Sequence, residues 1–588
     1  MKTGAENIVW KLDDLYDSLE RMKKDGEKFL EESKKYHEKY FNVKELFSDS
    51  EKTIEAIKEF ENIYAGFSRI SQYVQLKFSE DTTSKENKKL ISWLEDLENK
   101  IESNLLFVQI AFSKMTDTQF NRLIGKLEEY RHFVESSRRF KDHVLSEKEE
   151  QIIVYKRTTG SDAFVRFYTQ LTSRYRFRME VDGKLRTMNT SQLRSLRMHP
   201  SSEIREKVAS KLFRRYKKDA LSIEASYTAV AKDYDFESKI RNYSTPISMR
   251  NLQNEVDDAV VQALVDVTTK NNSLVSKYYK LKAKLMKVEK IKLSDIYAPI
   301  GKPIRTFKWN EAKETIRKTF HSFHPLFGKI VDEFFDKNWI HAALKPTKVG
   351  GAFCSYADPK HHPYVLLNYT GQIRDVITLG HELGHGVHGY LSGKQTILNY
   401  GSTLTMAETA STFAEMLLMD HFLDTLSKDE IIPFVSSKIE DLFATMNRQN
   451  MFTRFELAAH DKISTEGASF EDLSDIYEKE LHIMFDDSVI YNPEYRWEWA
   501  TIPHFFHTPF YCYAYDFAQL MVLSLYQTYK NGMPNFKEKY IKLLEAGKSD
   551  SPEKLLEPFG IDLKDPNFWQ SGFNYVNNTL IKRLEESM

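Results

Sequence analysis

Cysteine is almost absent from this chain of 588 residues, which contains only Cys354 and Cys512. Two cysteines cannot form the disulfide framework of small secreted proteins, and neither lies in a CxxC pair. Glycine and proline are also few, with 22 and 16 residues, whereas runs of Lys, Glu and Leu recur. This composition favours long helices and predicts a mainly α-helical protein.

The sequence also lacks an excess of charge of one sign and lacks a long apolar run. Its 84 basic residues balance 85 acidic ones, so nucleic acid and anionic membranes are not expected as partners. The start, MKTGAENIVWKLDDLYDS, has no apolar core of a signal peptide, and no charge-free apolar run reaches about 18 residues. We therefore expect a protein of the cytoplasm, and the sequence does not predict its oligomeric state.

Helical periodicity dominates the first half of the chain. Apolar residues recur every three or four positions with charges between them, which is typical of helices that pack into a core. The clearest such stripe consists of Leu90, Trp93, Leu94, Leu97, Ile101, Leu105 and Val108. No linker or repeat interrupts the sequence, so we expect an N-terminal helical region at 1–195 and a second, site-bearing region at 196–588.

Two short segments depart from the helical pattern. Around 175–185, apolar and polar residues alternate up to Asp182-Gly183, a dipeptide typical of tight hairpin turns. Residues 350–356 and 364–369 are strand candidates joined by a turn that contains proline. The sequence therefore predicts one isolated β-hairpin and a second hairpin that leads into a cluster of histidines.

That cluster is LGHELGHGVH, residues 379–388, in which His381, Glu382 and His385 form HExxH. Apolar residues on either side keep helical spacing until Gly393, which predicts that the motif lies on a helix. Residues four apart share one helix face, so both imidazoles can bind one Zn(II) while Glu382 faces a water molecule. The pattern is typical of metal-assisted hydrolysis with Glu382 as the general base.

A catalytic zinc requires a third protein ligand. The extended motif HExxHxxGxxH is excluded, because His388 and Leu391 stand where that motif requires Gly and His. A glutamate from a second helix is the other common solution, and TLTMAETASTFAEMLLMDHFL offers Glu408 and, seven residues later, Glu415. Because apolar neighbours describe a buried surface there, we assign Glu408 as the third ligand.

Other residues near the motif remain open at this point. Glu415 is a candidate for orienting a ligating histidine through its second ring nitrogen. His388 is an alternative third ligand, although packing is the commoner role of such a histidine. Cys354 is an alternative thiolate ligand, although a small buried strand residue is the simpler interpretation. The helix that carries Glu408 is expected to begin near Thr403.

Aromatic residues are concentrated in IPHFFHTPFYCYAYDFAQL, residues 502–520. The segment is either aromatic core or a source of donors for the negatively charged intermediate of amide hydrolysis. His504, His507, Tyr511 and Tyr515 are the candidate donors. Tyr511 and Tyr515 share one face if the segment is helical, with Tyr513 turned away.

HELGHGVH, the downstream Glu408 and this His/Tyr segment together resemble the thimet oligopeptidase superfamily of zinc peptidases, most closely the oligoendopeptidase F group. The resemblance covers most of the chain, and its strongest motifs lie in residues 350–520. It implies two mostly helical halves that enclose a deep channel, with a small hairpin beside zinc on the channel floor. We therefore expect a zinc metalloendopeptidase with one Zn(II) per chain that hydrolyses short oligopeptides.

The resemblance also implies roles for individual residues. It places the oxyanion donors on His504 or His507 and on Tyr511, with Tyr515 as a further candidate. The choice stays open because Thr508-Pro509-Phe510 stands where the thimet oligopeptidase pattern has a Gly/Tyr-rich run. GGAFC, residues 350–354, resembles the strand along which such enzymes lay the peptide backbone, which implies broad side-chain tolerance.

Three other functions are compatible with these motifs. One is a zinc exopeptidase of the carboxypeptidase or dipeptidase type, which shares HExxH and a distant glutamate. Another is a catalytically silent peptide-binding protein, although Glu382 and the tyrosines are all present. The third is a zinc amide hydrolase that acts on non-peptide substrates.

Overall fold

A computed structural model describes residues 2–302 and 304–588 of the chain. Helices dominate, so the mainly α class predicted from composition is confirmed. The α-helices are, in chain order, α1 (Leu19–Tyr40), α2 (Val43–Leu46), α3 (Ser50–Glu80), α4 (Lys85–Leu105), α5 (Phe107–Ser113), α6 (Asp117–Leu123), α7 (Arg131–Arg138), α8 (Glu147–Thr159), α9 (Ser161–Ser173), α10 (Thr190–Ser195), α11 (Ser202–Lys218), α12 (Ala220–Ile240), α13 (Pro246–Gln253), α14 (Asp258–Lys270), α15 (Asn272–Leu285), α16 (Trp309–Phe323), α17 (Pro325–Asp336), α18 (Ile373–Ser392), α19 (Thr409–Thr425), α20 (Lys428–Thr445), α21 (Asn447–Thr465), α22 (Phe470–Phe485), α23 (Pro503–His507), α24 (Tyr513–Lys530), α25 (Phe536–Ala546), α26 (Pro552–Leu556), α27 (Pro566–Tyr575) and α28 (Lys582–Ser587).

Shorter elements complete the description. The 3₁₀ helices are Ile124–Lys126, Glu128–Tyr130, Lys141–His143, Leu196–Met198, Leu293–Asp295, Ile397–Asn399, Leu404–Met406, Pro493–Thr501 and Glu557–Phe559, and a π-helix spans Val576–Ile581. The strands are β1 (Phe177–Val181), β2 (Lys184–Met188), β3 (Ile291–Lys292), β4 (Ile340–His341), β5 (Ala352–Ser355), β6 (Tyr364–Leu367) and β7 (Val489–Ile490). Within the described residues, no helix combines the length and the apolar character that crossing a membrane requires.

The chain folds into two compact units, each assembled from three segments. Unit 1 comprises Met1–Val144, Ile304–Thr425 and Thr528–Ile561, and unit 2 comprises Leu145–Pro303, Leu426–Gln527 and Asp562–Met588. The boundary expected near residue 195 lies within unit 2, at the end of α10, and stays a prediction.

Unit 1 contains the HExxH helix, α18, packed against α19 and α17. The predicted hairpin is confirmed as β5 and β6, which pair antiparallel with Ala352 opposite Leu367. Strand β4 extends this sheet by pairing parallel to β6, and the order β4-β6-β5 leaves β5 at an edge. The sequence analysis missed β4 because its two residues are too few to show alternation. The sheet lies beside α18.

Unit 2 contains the other predicted hairpin, which is confirmed as the two-stranded sheet β1–β2. Asp182 and Gly183 both have positive φ, at 51° and 73°, as a two-residue turn of this kind requires. Helices α12, α14 and α22 pack on α21, which places α21 in the core of the unit. Its buried side chains include an acid, Glu456, that is fully inaccessible to solvent.

One helix start differs from the sequence expectation, and another decides whether Tyr511 lies on a helix. The helix expected to begin near Thr403 begins at Thr409 instead, because residues 404–406 form a 3₁₀ helix. The Thr409 hydroxyl donates to the Met406 carbonyl at 2.7 Å and so fixes this junction. In the aromatic segment, α24 begins at Tyr513, so Tyr511 precedes the helix.

Candidate active site

Helix α18 carries the HExxH motif and begins with a capping box. Gln372 precedes the helix and Asp375 lies in its first turn, and each side chain accepts from the other residue's backbone N–H. The helix ends at Gly393, as its sequence predicts. Within it, His381 and His385 lie four residues apart, with side chains 24% and 18% exposed. The motif is therefore on one face of a stable helix, as expected.

The structure brings the three predicted metal ligands together. Glu408 Oε2 lies 3.3 Å from His381 Nε2 and 3.4 Å from His385 Nε2, and the three ligand atoms are all within 4.8 Å of one another. Zinc bonds of about 2.0–2.1 Å in a tetrahedron place neighbouring ligand atoms about 3.3 Å apart. Both separations from Glu408 match that value, and the two histidine nitrogens lie within 4.8 Å of each other, so the residues fit a single tetrahedral ion.

Glu408 differs from the sequence expectation in its exposure. The carboxylate was expected to be buried, but 40% of the side chain is exposed, because Glu408 lies in the turn before α19. The Ser411 hydroxyl donates to Glu408 Oε2 at 2.6 Å. Desolvation opposes ionisation, but the nearby His385 and His381 and the Ser411 hydroxyl lower the pKa of Glu408 to about 2. Glu408 is thus an anion held beside two imidazoles.

Glu415 occupies the position that the sequence analysis proposed for it. Its Oε1 lies 2.7 Å from His381 Nδ1, so the ring donates there and turns Nε2 towards Glu408. Burial disfavours a charged imidazole, but the hydrogen bond to Glu415 and the surrounding carboxylates raise the pKa of His381 to about 9. The protein therefore supplies a strongly cation-attracting pocket at this imidazole.

Gly384 allows the close approach of α18 and α19. An ideal Cβ at this position would lie 2.6 Å from the Ala410 carbonyl oxygen and 2.6 Å from Ser411 Cα. Any larger residue would separate the two helices, and Glu408 stands immediately before α19. The glycine between the two histidines of the motif is therefore part of the site.

Glu382 is 6% exposed and directly follows the ligand residue His381 in the sequence. The charges of the ligand residues therefore act on its carboxylate. Burial raises the pKa of Glu382, while His381 and His385 act in the opposite direction. A carboxylate with raised proton affinity is suited to accept a proton from water.

Within the described residues, the alternative ligands His388 and Cys354 do not belong to the group of converging ligand atoms. His388 is buried, and burial lowers its pKa to about 4, as expected of a packed neutral histidine. Cys354 lies on β5, where burial raises the pKa of its thiol well above the usual range. His388 fits the packing role that the sequence analysis favoured, whereas Cys354 is only partly buried.

In unit 2, His504, Tyr511 and Tyr515 form one cluster. The Tyr515 hydroxyl lies 3.3 Å from His504 Nε2, and the Tyr511 ring lies parallel to the His504 ring at 5.8 Å. The Tyr511 and Tyr515 rings are 5.1 Å apart, edge to face. Burial lowers the pKa of His504, so its imidazole is neutral near pH 7. We name these three residues the donor cluster.

The remaining candidate of the segment, His507, and the non-candidate Tyr513 have other partners. His507 Nε2 lies 3.1 Å from the Thr169 hydroxyl of α9, outside the donor cluster. Tyr513 is fully buried and its hydroxyl accepts from Asn254 at 2.8 Å, so it is turned away from Tyr511 as predicted. The structure thus separates the two histidines that the sequence could not distinguish.

The sequence analysis missed two residues that support this site. Ser411 is three residues after Glu408, a spacing that places a hydroxyl near the preceding turn, so this signal was readable. Gly384 was readable only as a helix-weakening residue, because its contact with α19 is not local in the sequence.

Comparisons with known proteins follow the same lines. The model of peptidase family M3 matches residues 195–575, and the Oligopeptidase F model matches residues 112–177. An oligoendopeptidase F homolog from Borreliella burgdorferi is 28% identical, over 95% of this chain and 94% of its own length. Oligopeptidase PepF from Bacillus subtilis is 24% identical, over 95% of this chain and 84% of its own length.

Solved structures share the fold. A crystal structure from Chlamydophila abortus has a TM-score of 0.90 at 23% identity and covers 99% of this chain and 98% of that chain. Oligoendopeptidase-F from Enterococcus faecium has a TM-score of 0.71 at 22% identity and covers 98% of this chain and 99% of that chain. These likenesses support the mainly helical fold class expected from the resemblance.

A mainly helical fold with two histidines of HExxH and a glutamate beside them defines a metal-dependent hydrolase. Because the family model matches about two thirds of its length, the chain belongs to peptidase family M3. It is therefore a metal-dependent peptidase that acts on peptides, and the resemblance to oligoendopeptidase F is confirmed.

Proposed function

We propose that this M3 peptidase is a zinc oligoendopeptidase, which cuts internal bonds of short peptides. One observation carries the proposal: the ligand atoms of Glu408 and of the two HExxH histidines, His381 and His385, have the spacing of a tetrahedral site. The relatives named oligoendopeptidase F support the preference for internal bonds. No feature of the site favours an exopeptidase or a silent binding protein.

Zinc is the metal that best fits two imidazoles and one carboxylate with an open fourth position, although such a site also accepts Co(II) or Mn(II). When bound, Zn(II) supplies Lewis-acid chemistry, which polarises the scissile carbonyl and makes water acidic enough to act as a nucleophile near pH 7. His381, His385 and Glu408 would hold it, one ion per chain, and Glu415 fixes the ring of His381.

Glu382 moves the proton in this proposal. Its carboxylate accepts a proton from the attacking water and then delivers that proton to the nitrogen of the leaving amine. The raised pKa of Glu382 in its buried position favours the first transfer, from water to the carboxylate, relative to an exposed glutamate.

The donor cluster stabilises the negative charge that develops on the carbonyl oxygen. Neutral His504 and the hydroxyls of Tyr511 and Tyr515 are donors, and charge stabilisation of this kind is a large catalytic contribution. We propose His504 for this role in preference to His507, because His504 is the histidine grouped with both tyrosines. The role itself rests on the family resemblance.

Substrate binding is proposed at the edge strand β5. Its free edge offers main-chain groups to an extended peptide, which binds many sequences because the ladder bonds do not involve side chains. A channel that admits only short or unstructured peptides is what the resemblance implies. We also propose a cytoplasmic location, since both cysteines are free and a reducing compartment suits them.

Mass spectrometry of the products from an end-blocked peptide of ten residues tests the proposal. The reaction is run with and without a chelator, alongside an intact folded protein. We expect internal cuts in the peptide only, with several residue types at the cleavage site, and no cuts after chelation. If end-blocked peptide stays intact while the same peptide with free ends is shortened, the enzyme is an exopeptidase.

Two variants separate proton transfer from metal binding. Glu382→Gln is expected to retain one metal per chain and to lose turnover by about a thousandfold or more, because amide cannot accept the proton. His385→Ala is expected to lose both metal and turnover. Metal content by elemental analysis and cleavage rates check both, and near wild-type cleavage by Glu382→Gln contradicts its assignment as the base.

A further inference from the structure

The turn between α23 and α24 has an unfavourable backbone conformation. Phe510 has a φ of 57°, in the left-handed region that bulky side chains rarely adopt. A residue persists in such a conformation only when surrounding contacts hold it there. The turn lies directly before Tyr511, so the direction of the Tyr511 side chain depends on whatever holds Phe510.

Two side chains from other helices hold this turn. Glu456 Oε1, in the middle of α21, accepts from the Phe510 N–H at 2.8 Å. Arg250 Nε, in α13, donates to the carbonyl of Pro509 at 3.2 Å. The Phe510 ring is buried, with its centre 4.5 Å from that of His460. The strained residue is therefore held on both sides of the peptide group that precedes it and at its ring.

Burial of Glu456 in this position costs free energy. It is fully buried, and its Oε2 has no hydrogen-bond partner within the described residues. Burial raises the pKa of Glu456 to about 8, while the Phe510 N–H and Arg250 act in the opposite direction. An apolar side chain would fill the same space at lower free energy, except that the Phe510 N–H would lose its acceptor. The bond to the turn is thus what the acid contributes.

We propose that Glu456, assisted by Arg250, is a positioning residue for the donor cluster. Its hydrogen bond to Phe510 fixes the turn and so keeps the Tyr511 ring parallel to His504 and beside Tyr515. The inference rests on the proposed function of the donor cluster. Without the acceptor, Phe510 relaxes to a negative φ and Tyr511 leaves its place in the cluster.

Glu456→Leu tests the proposal, with Glu456→Gln as its matched control. Leucine removes the acceptor, whereas the amide oxygen of glutamine still accepts from Phe510. On a quenched, end-blocked peptide we expect Glu456→Leu to lower kcat by about tenfold to a hundredfold, because small displacements of catalytic groups have effects of this size. KM and metal content stay within about threefold of wild type, and Glu456→Gln keeps kcat within about threefold.

A double mutant distinguishes positioning from general destabilisation. If Glu456 acts through Tyr511, adding Glu456→Leu to Tyr511→Phe produces no further loss of kcat, whereas independent effects multiply. A folded Glu456→Leu variant with wild-type kcat, or full multiplication in the double mutant, overturns the proposal. If Glu456→Leu does not fold, Arg250→Met replaces it, and wild-type kcat in that variant also overturns the proposal.

Failure of the proposed function gives a different result. In that case the wild-type enzyme leaves the end-blocked peptide intact, or Tyr511→Phe cleaves it at the wild-type rate. Either result removes the donor role itself, and with it the basis of this inference. If the wild-type enzyme cleaves the end-blocked peptide and Tyr511→Phe cleaves it more slowly, the donor role stands. The Glu456 variants then decide whether the positioning proposal is correct.

Discussion

At the scale of single residues, Glu415 hydrogen-bonds to His381 Nδ1, and we propose that it influences the metal site through this bond. Glu415→Gln keeps an oxygen that can accept this bond but removes the negative charge, so the imidazole becomes a weaker ligand. Loss of such a partner typically lowers metal affinity 10–100-fold, and we expect a change of about that size. Competition with a chelator of known affinity measures it.

A control on the same helix is Asp420→Asn. Asp420 pairs with Lys530 at 2.8 Å and is not one of the residues whose ligand atoms converge. The metal affinity of the Asp420→Asn variant is expected to stay within about twofold of wild type. Equal losses in Asp420→Asn and Glu415→Gln would mean that the helix, and not the hydrogen bond, determines the affinity.

A second prediction at this scale concerns Glu456 and the dependence of protein stability on pH. Its pKa is about 8 in the folded protein, above the ordinary value of 4.5. Between these values the folded state keeps a proton that the unfolded state has lost, so the free energy of unfolding falls as pH rises. The slope from this one group is at most about 1.4 kcal/mol per pH unit.

The comparison with Glu456→Gln isolates this contribution. Arg250, Tyr227, Tyr234 and Cys512 are among the groups that interact with Glu456, and burial raises the pKa of both tyrosines and of the thiol. The titration of these tyrosines and of this thiol is thus moved further above the range from pH 5 to pH 8. We expect the stability of wild type relative to Glu456→Gln to fall across this range in urea denaturation. A constant difference would show that Glu456 is ionised throughout.

The residues that the sequence located are those whose partners are local. His381 and His385 are four apart on one helix, so their convergence follows from helix geometry alone. Glu408 required a second step, because 23 residues separate it from His385. Glu456 could not be found, since its partner Phe510 is 54 residues away and neither residue belongs to a pattern.

At the scale of elements, the packing of α18 on α19 makes Gly384 critical. Gly384→Ala places a Cβ against the backbone of residues 410 and 411, so the helices must separate by part of an ångström or more. Overpacking of this kind costs about 1–3 kcal/mol, and it moves Glu408 away from both histidines. We expect metal affinity to fall by tenfold or more and thermal stability to fall with it.

Gly125→Ala is the matched control for this substitution. Gly125 also lies in unit 1, in the 3₁₀ helix Ile124–Lys126, and an added Cβ there meets no atom within 4 Å. Calorimetry and chelator competition on both variants separate the effect of a methyl group from the effect of helix separation. Wild-type metal affinity in a folded Gly384→Ala variant contradicts the close-packing argument.

Elements were predictable where local chemistry defines them. Asp182-Gly183 specifies the tight turn of β1–β2, and Gly393 ends α18, as the sequence indicated. Tyr511 and Tyr515 would share one face if the segment were helical, but Tyr511 lies before the helix. Phe510 adopts a positive φ, which no propensity predicts for phenylalanine, and α24 begins only at Tyr513.

At the scale of the whole molecule, assembly of each unit from three segments left no signal in the sequence. Unit 1 joins residues 1–144 to the segment that carries the proposed metal ligands through specific bonds. The Ser68 hydroxyl donates to the Ala357 carbonyl at 2.6 Å, and the Ile397 N–H donates to Glu61 at 3.0 Å. Such contacts link positions more than 280 residues apart, which periodicity and turn signals cannot detect.

These contacts predict the behaviour of a fragment that starts at the expected boundary. Residues 196–588 contain every ligand and donor, yet the fragment lacks α1 to α7 of unit 1 and α8 to α10 of unit 2. In unit 2 it also loses the Tyr168 hydroxyl, which donates to the buried Ala500 carbonyl at 2.9 Å. We expect the fragment to unfold without a cooperative transition and to bind metal at least tenfold more weakly than the full chain.

Co-expression with residues 1–195 provides the control, because both units are then complete. Restored cooperative unfolding and restored metal affinity in the co-expressed pair would attribute the defect to the missing packing surfaces and not to the chain break. If residues 196–588 alone unfold cooperatively and bind one metal with the affinity of the full chain, residue 195 is an autonomous domain boundary. The bonds from Ser68 and Glu61 would then add stability to a site that forms without them.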